Sequence, residues 1–250
     1  MGTIITFITF AVIILFIFGT AFLSSVLGML GGLILIGLLV VILPLQQAMI
    51  LHGLIQLTSN GYRAWLNRKD ISWTIIYTLV IGNVCALFGF FLVAFVPDKI
   101  TVILVLGLLP YITWALPSSV LNITKKPIGL LAGVSVVGSN IISGTGGLVL
   151  DVFFQRANMT RHQVVATKAV AQSLGHIAKI IFFGLLSTPT LNIWPSYWLI
   201  AFAVASSVVG TTLGKKTLDR IDDGEFFLWT QRIILIIGAF FISYACYMMN

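Results

Sequence analysis

The sequence has 250 residues, of which 59% are hydrophobic and 8% charged, with a net charge of +7. A soluble domain carries about a quarter charged residues, and a helix needs about 20 apolar residues to cross the hydrocarbon core. Nearly the whole chain falls into stretches of that kind, which excludes a soluble domain of any size. Basic residues such as Arg63, Arg68, Lys69, Lys125, Lys126, Arg156, Arg161, Lys215, Lys216 and Arg220 sit in short gaps between apolar runs. Membrane proteins place positive charge there, so the charge does not indicate a nucleic-acid partner.

The first apolar region, residues 3–43, is too long for one ordinary helix and is interrupted at Ser24-Ser25 and at Gly28, Gly31 and Gly32. It runs on without a clear cleavage site, so it reads as a retained helix and not as a signal peptide. Segments at 45–66, 71–96 and 100–116 follow, the last with Pro110 as an expected kink. The first unit covers residues 1–117, a polar linker covers 118–126, and a second unit covers 127–250. Its segments lie at 127–154, broken at Ser139-Asn140 and again from Ser143 to Gly147, then at 161–186 and 193–213, and after a charged loop (215–225) at 226–249. The expected fold is an all-α polytopic membrane protein of about eight transmembrane segments in two homologous four-segment repeats, with glycine-broken helices in segments 1 and 5. Trp65, Trp73, Trp114, Trp194 and Trp229 lie near segment ends, as an interfacial belt requires. Cys85 and Cys246 lie inside apolar stretches and suggest neither a disulfide framework nor a metal site.

Orientation is not readable at this level. If every segment crosses once, the loop charges divide six against five. If the broken segments are re-entrant hairpins, each unit crosses an odd number of times and the copies are inverted; if they cross, the copies are parallel.

The repeat is visible in two devices. The break recurs as Gly28-Met29-Leu30-Gly31-Gly32 and Ser143-Gly144-Thr145-Gly146-Gly147, at an offset of 115. Behind each break comes a helix with a polar stripe. At an offset of 116, His52 pairs with Lys168, Gln56 with Gln172 and Asn60 with His176; Arg63 and Lys179 also correspond, nearer the helix ends. Each trio is spaced i, i+4, i+8, which is one gently turning stripe about 12 Å long. Polar groups at membrane depth face protein or water and not lipid. Both stripes and both breaks are therefore expected to face one cavity, with Gly31, Gly32, Thr145, Gly146 and Gly147 supplying its backbone.

Lysine, histidine, glutamine and asparagine make a donor-rich site, and half-helices opening at the breaks would add positive dipole ends. Carboxylates are nearly absent from the apolar stretches, Asp151 being the exception. Such a site suits a small oxyanion, with the substrate itself as the expected counter-charge of Lys168. Competing structural readings stand beside this one: Lys168 could snorkel toward Arg161, the histidines could bond neighbouring carbonyls, and the glutamines could bridge helices. Recurrence at matched positions favours the shared cavity.

At these residues the chain resembles the sulfite exporter TauE/SafE family of membrane transporters. The resemblance covers nearly the whole chain: the break and polar helix, their second copy, and the turn from Gly210 to Gly214 into the last charged loop. It implies a multi-pass protein of the bacterial inner membrane, embedded in a lipid bilayer and open to homodimer formation. The implied function is secondary transport, as an exporter, of sulfite, sulfoacetate or a related organosulfonate by alternating access, with no cofactor. Transport of another small anion or metabolite is the alternative. A membrane enzyme or an assembly partner is a weaker one, because no HExxH, GxSxG or GxxxxGK[ST] pattern occurs.

Overall fold

The computed structural model describes residues 7–27, 30–116, 121–155, 157–185, 194–218 and 223–249. Helices account for nearly all of them, and no strand occurs among them. In chain order they are α1 (Phe7–Leu27), α2 (Leu30–Ile42), α3 (Leu45–Leu66), α4 (Trp73–Val93), α5 (Lys99–Ala115), α6 (Lys126–Ser143), α7 (Gly147–Phe154), α8 (Arg161–Leu185), α9 (Tyr197–Leu218) and α10 (Asp223–Met249). A single 3-10 turn, Arg68–Asp70, links α3 to α4.

Among the described residues, four helical stretches are long and apolar enough to cross a membrane: Trp73–Val93, Lys126–Ser143, Tyr197–Gly214 and Arg232–Met249. Their outer faces are greasy. On α4, Tyr77, Ile81, Val84, Phe88 and Leu92 are all exposed, three or four residues apart, so one helical face points apolar side chains away from the protein. The helices α3 and α8 are the reverse case. Their polar residues lie inside, with His52, Gln56, Asn60, Gln172, His176 and Lys179 all buried. Trp65, Trp73, Trp114 and Trp194 are exposed near helix ends; the side chain of Trp229 lies outside those described.

Each broken segment is two helices folded into a hairpin. The helix α2 turns back along α1, and a Cβ at Gly31 would overlap the carbonyl oxygen of Thr20, so only glycine permits the approach. The helix α6 ends at Gly144, whose φ of +80° reverses the chain at low cost, and α7 then packs back on α6. Other boundaries also move. The charged loop expected at 215–225 is largely helical, since α9 continues to Leu218 and α10 starts at Asp223. Hydropathy marks where a helix leaves the hydrocarbon, not where its hydrogen bonds stop. Pro110 lies within α5; two residues of the break motif (Gly28 and Met29) are outside the described residues, and so is the start of the linker.

Close contacts fix the direction of each packed pair. Phe10 meets Phe202 edge-on, and Gly210 and Gly214 press on Phe18 and Phe22, so α1 and α9 run parallel. Gly129 meets Thr78 and Gly133 meets Asn83, so α6 and α4 also run parallel. Gly107 faces Ile242 while the Tyr111 hydroxyl donates to the Leu235 carbonyl at 2.7 Å, which makes α5 and α10 antiparallel. His52 meets Lys179, and just beyond α3 the Ser72 N–H donates to the Thr167 hydroxyl at 3.0 Å, so α3 and α8 are antiparallel.

The two ends of the bundle differ in charge. One end gathers the 3-10 turn, the start of α8, residues 121–125 and the end of α7, tied by the Ile123 N–H donating to the Phe153 carbonyl at 3.2 Å. Arg63, Arg68, Lys69, Lys125, Lys126, Arg161, Lys215 and Lys216 all belong to helix ends on that side. The opposite end holds the end of α2 and the start of α5, where the Lys99 ammonium donates to the Val41 carbonyl at 3.2 Å. The six-to-five division counted each broken segment as one crossing; the two hairpins shift the later loops across and remove the balance.

Candidate functional site

The two stripes are longer than trios. His52, Gln56, Asn60 and Arg63 on α3 and Lys168, Gln172, His176 and Lys179 on α8 share the spacing 4, 4, 3, which keeps each set on one helical face. Because α3 and α8 are antiparallel, the middle of one stripe faces the middle of the other. A narrow cleft of about 20 Å³, room for about one water molecule, lies there. Gln56 and Asn60 line it from α3, and Gln172 and His176 from α8. The hairpins close it: Ser24 and Gly32 from the first, Thr145 and Gly147 from the second.

Backbone and side-chain donors dominate the lining. Gly32 and Gly147 stand in the first turns of α2 and α7, the positive ends of those helix dipoles. The Thr145 carbonyl, which would repel an anion, is occupied by the hydroxyls of Ser139 at 2.5 Å and Ser143 at 3.2 Å. Asn60 Nδ2 donates to Gln56 Oε1 across a long 3.4 Å. His176 is 4% exposed, and its Nδ1 has no hydrogen-bond partner. A buried polar atom without a partner costs about 1–3 kcal/mol, so a ligand group reaching it gains that much advantage over an apolar neighbour.

Below the cleft lies a sealed polar bridge. Lys179 is fully buried, and its ammonium donates to the Gly144 carbonyl at 2.7 Å and to His52 Nδ1 at 2.7 Å. The other ring nitrogen of His52, Nε2, donates to the Gly32 carbonyl at 3.0 Å. One chain of hydrogen bonds therefore joins the break of the second hairpin to the start of α2 in the first, and it fixes which His52 nitrogen accepts. The His176 ring stands edge-on to the His52 ring, with centroids 5.5 Å apart. Neither partner of Lys179 is a carboxylate.

Above the cleft the arrangement corrects one expectation. Lys168 is not left for a substrate to neutralise: it forms an ion pair with Asp151 of α7. The hairpin explains this. Once α7 folds back beside α6, Asp151 is carried to the flank of α8 that Lys168 occupies. The pair is partly open, with side-chain exposures of 21% and 39%. Arg63 lies within electrostatic range of Lys168 and reaches the Ser24 carbonyl at 3.4 Å.

Residues 13–248 match the family model for Sulfite exporter TauE/SafE. The chain belongs to that family. No curated protein and no solved structure matches it. A TauE/SafE protein is a membrane transporter of the sulfite or anion exporter type and not an enzyme. Within this TauE/SafE chain, Gln56, Asn60, Gln172, His176, Gly32, Thr145 and Gly147 border the cleft. His52 lies behind it, Lys168 one turn above it, and Gly31 and Gly146 inside the hairpin packing, where Gly146 faces Asn140 and Val136.

Sequence reasoning noted Lys179 as the counterpart of Arg63 and Ser24 as part of an interruption, and assigned neither to the site. Lys179 had a readable signal, since it continues the stripe at the same spacing that makes Arg63 continue the other. Distance from the helix end concealed it; its depth depends on α3 crossing there. Ser24 precedes the glycine break by one turn and had no pattern of its own.

Proposed function

We propose that this TauE/SafE protein carries a small sulfur oxyanion or sulfonate, such as sulfite or sulfoacetate, by alternating access around the cleft between two inverted repeats. The observation that carries this reading is the cleft itself. It is lined by matched residues of both stripes, addressed by two half-helix N-termini, and flanked along the α3–α8 crossing by basic groups on both sides. The amides can serve either sign of charge, but the positive dipole ends and the basic groups favour an anion over a cation.

Packing directions support the inverted repeat. Matching α1–α5 with α6–α10 in order turns the α1–α9 contact into the α6–α4 contact, and both are parallel. The same matching turns α3–α8 and α5–α10 into themselves, and both are antiparallel. A pseudo-two-fold axis lying across the helices would relate the halves in that way. Each half then crosses an odd number of times. With basic residues gathered at one end, the positive-inside tendency puts that end in the cytoplasm and the Lys99 end outside, in keeping with a bacterial inner-membrane protein.

Inverted repeats also give the asymmetry of the site a meaning. Under the repeat offset, His52 and Lys179 correspond to Lys168 and Arg63. One pair is sealed, and the Lys168 end is partly open. The conformation is thus read as open toward the basic, cytoplasmic end, and the alternate state exchanges the two roles.

The test is counterflow of radiolabelled sulfoacetate in liposomes holding the purified protein. Stimulated exchange by unlabelled sulfoacetate or sulfite, without chemical change, is the expected result. Absence of exchange with either anion, in protein that remains folded, overturns the reading.

A further inference from the structure

We propose that Asp151 is an internal competitor for the substrate anion at Lys168, so that anion binding is linked to uptake of a proton. The inference rests on the anion-transport reading above and adds to it a coupling residue and a coupling ion.

The placement is the starting point. Gly147 and Gln172 both line the cleft. Asp151 is four residues beyond Gly147 on α7, and Lys168 is four residues before Gln172 on α8. The ion pair therefore sits one helical turn, about 5 Å, from the lining, at the end that is partly open. An anion entering from that end meets Lys168 before it meets the glutamines. It cannot bond the ammonium fully while Asp151 does, because both carry the same charge and seek the same donors.

The charges around the pair favour exchange. Lys168 from α8 faces Asp151 directly, and Arg63 from α3 lies in electrostatic range of Lys168. The other helices packed on α7 are α5 and α6, whose ionisable groups are Lys99, Tyr111 and Lys126. Lys99 is bonded to the Val41 carbonyl and Tyr111 to the Leu235 carbonyl, and Lys126 is exposed at the first residue of α6. His162, in the first turn of α8, is also exposed. No second base beside Asp151 is provided by these groups. A carboxylate released from Lys168, the cation it pairs with among the described residues, is stabilised at membrane depth by protonation. The step balances as follows: the anion takes the hydrogen bonds of the Lys168 ammonium, the Asp151 carboxylate leaves, and a proton from solution binds the freed carboxylate. Neither Lys168 nor the anion loses a proton; with a singly charged anion the site's total charge is unchanged, and with doubly charged sulfoacetate it becomes one unit more negative. Release of the anion reverses each movement.

Binding of sulfoacetate to the purified full-length protein tests this, because its sulfonate stays ionised throughout the working pH range. The wild-type affinity is expected to tighten as pH falls through neutrality toward mild acid. Asp151→Asn removes the competing charge and is expected to bind roughly tenfold more tightly at neutral pH, with little remaining pH dependence. A wild-type affinity that ignores pH, or an Asp151→Asn protein that binds more weakly, overturns the proposal while leaving the transport reading in place. Absence of sulfoacetate and sulfite binding in the wild type removes both. A measurement that needs no variant is proton uptake in weak buffer on adding sulfoacetate. Up to about one proton per anion is expected, by linkage, and none overturns the inference.

Discussion

Replacing Lys179 by methionine separates the electrostatic role of the sealed bridge from a structural one. Methionine keeps the length of the side chain and discards its charge and its donors. The change strips the Gly144 carbonyl and His52 Nδ1 of their 2.7 Å partners, and each orphaned buried acceptor costs about 1–3 kcal/mol. Against this, an ammonium no longer has to be held out of water, a relief of several kcal/mol. Folded stability is therefore expected to move little. Anion affinity is another matter. A unit charge one to two helical turns away, about 5–10 Å, is worth about 2–3 kcal/mol at an effective dielectric near 20. That corresponds to a loss of roughly 30- to 150-fold in affinity for sulfoacetate. The assay pairs thermal unfolding of the ligand-free protein with ligand-induced stabilisation across a concentration series. Wild-type affinity in a folded Lys179→Met protein refutes the electrostatic role and leaves Lys179 as a strut between the hairpins.

Four further outcomes follow from the same geometry. Gln56→Ala and Gln172→Ala each remove one donor from the cleft and should each weaken anion binding by roughly fivefold, about 1 kcal/mol; unaltered affinity in both would remove the shared cleft. Gly31→Ala places a methyl group against the Thr20 carbonyl, so the first hairpin should fail to close and the protein should lose several kcal/mol, an expectation checked by thermal unfolding. His52→Ala breaks the bridge at its middle, leaving the Gly32 carbonyl without its partner, and should cost roughly 2–4 kcal/mol by the same measurement. Asp98 caps α5, its carboxylate accepting from the Thr101 N–H and the Thr101 hydroxyl at 2.8 Å each. Those bonds hold its pKa below the ordinary carboxylate value, so the cap is fully present above that ordinary value and is lost as pH falls through the lowered one. Hydrogen exchange in the first turn of α5 should accelerate only in that acid window, and Asp98→Ala should accelerate it at all pH values, at a cost of about 1 kcal/mol.

Much of the helical layout could be read from hydropathy, because the chemistry of each span is local. The segment at 45–66 is α3 to the residue, and the segment at 161–186 is α8 to within one. The breaks were readable too, since glycine runs inside apolar sequence have few other uses. What they do was not. Residues 3–43 and 127–154 look like interrupted spans, and only contacts such as Gly31 on Thr20 and Gly146 on Val136 reveal two hairpins. Three consequences depend on that reversal: the partner of Lys168, the clustering of basic residues at one end, and the parity of each half. None is a property of a local window. The polar stripes were legible as stripes, yet their register was not, because it is set by the antiparallel crossing of α3 and α8. That crossing turns His52 toward Lys179 and leaves Gln56, Asn60, Gln172 and His176 around the opening.

The most direct measurement is density for a bound anion in the protein crystallised with sulfoacetate. The expected density lies in the cleft between Gln56 and Gln172, within hydrogen-bond reach of His176 Nδ1 and of the N–H groups that open α2 and α7, with Asp151 drawn away from Lys168. Density at any other place in the membrane-embedded region, with Gln56, Gln172 and His176 untouched under saturating ligand, contradicts it.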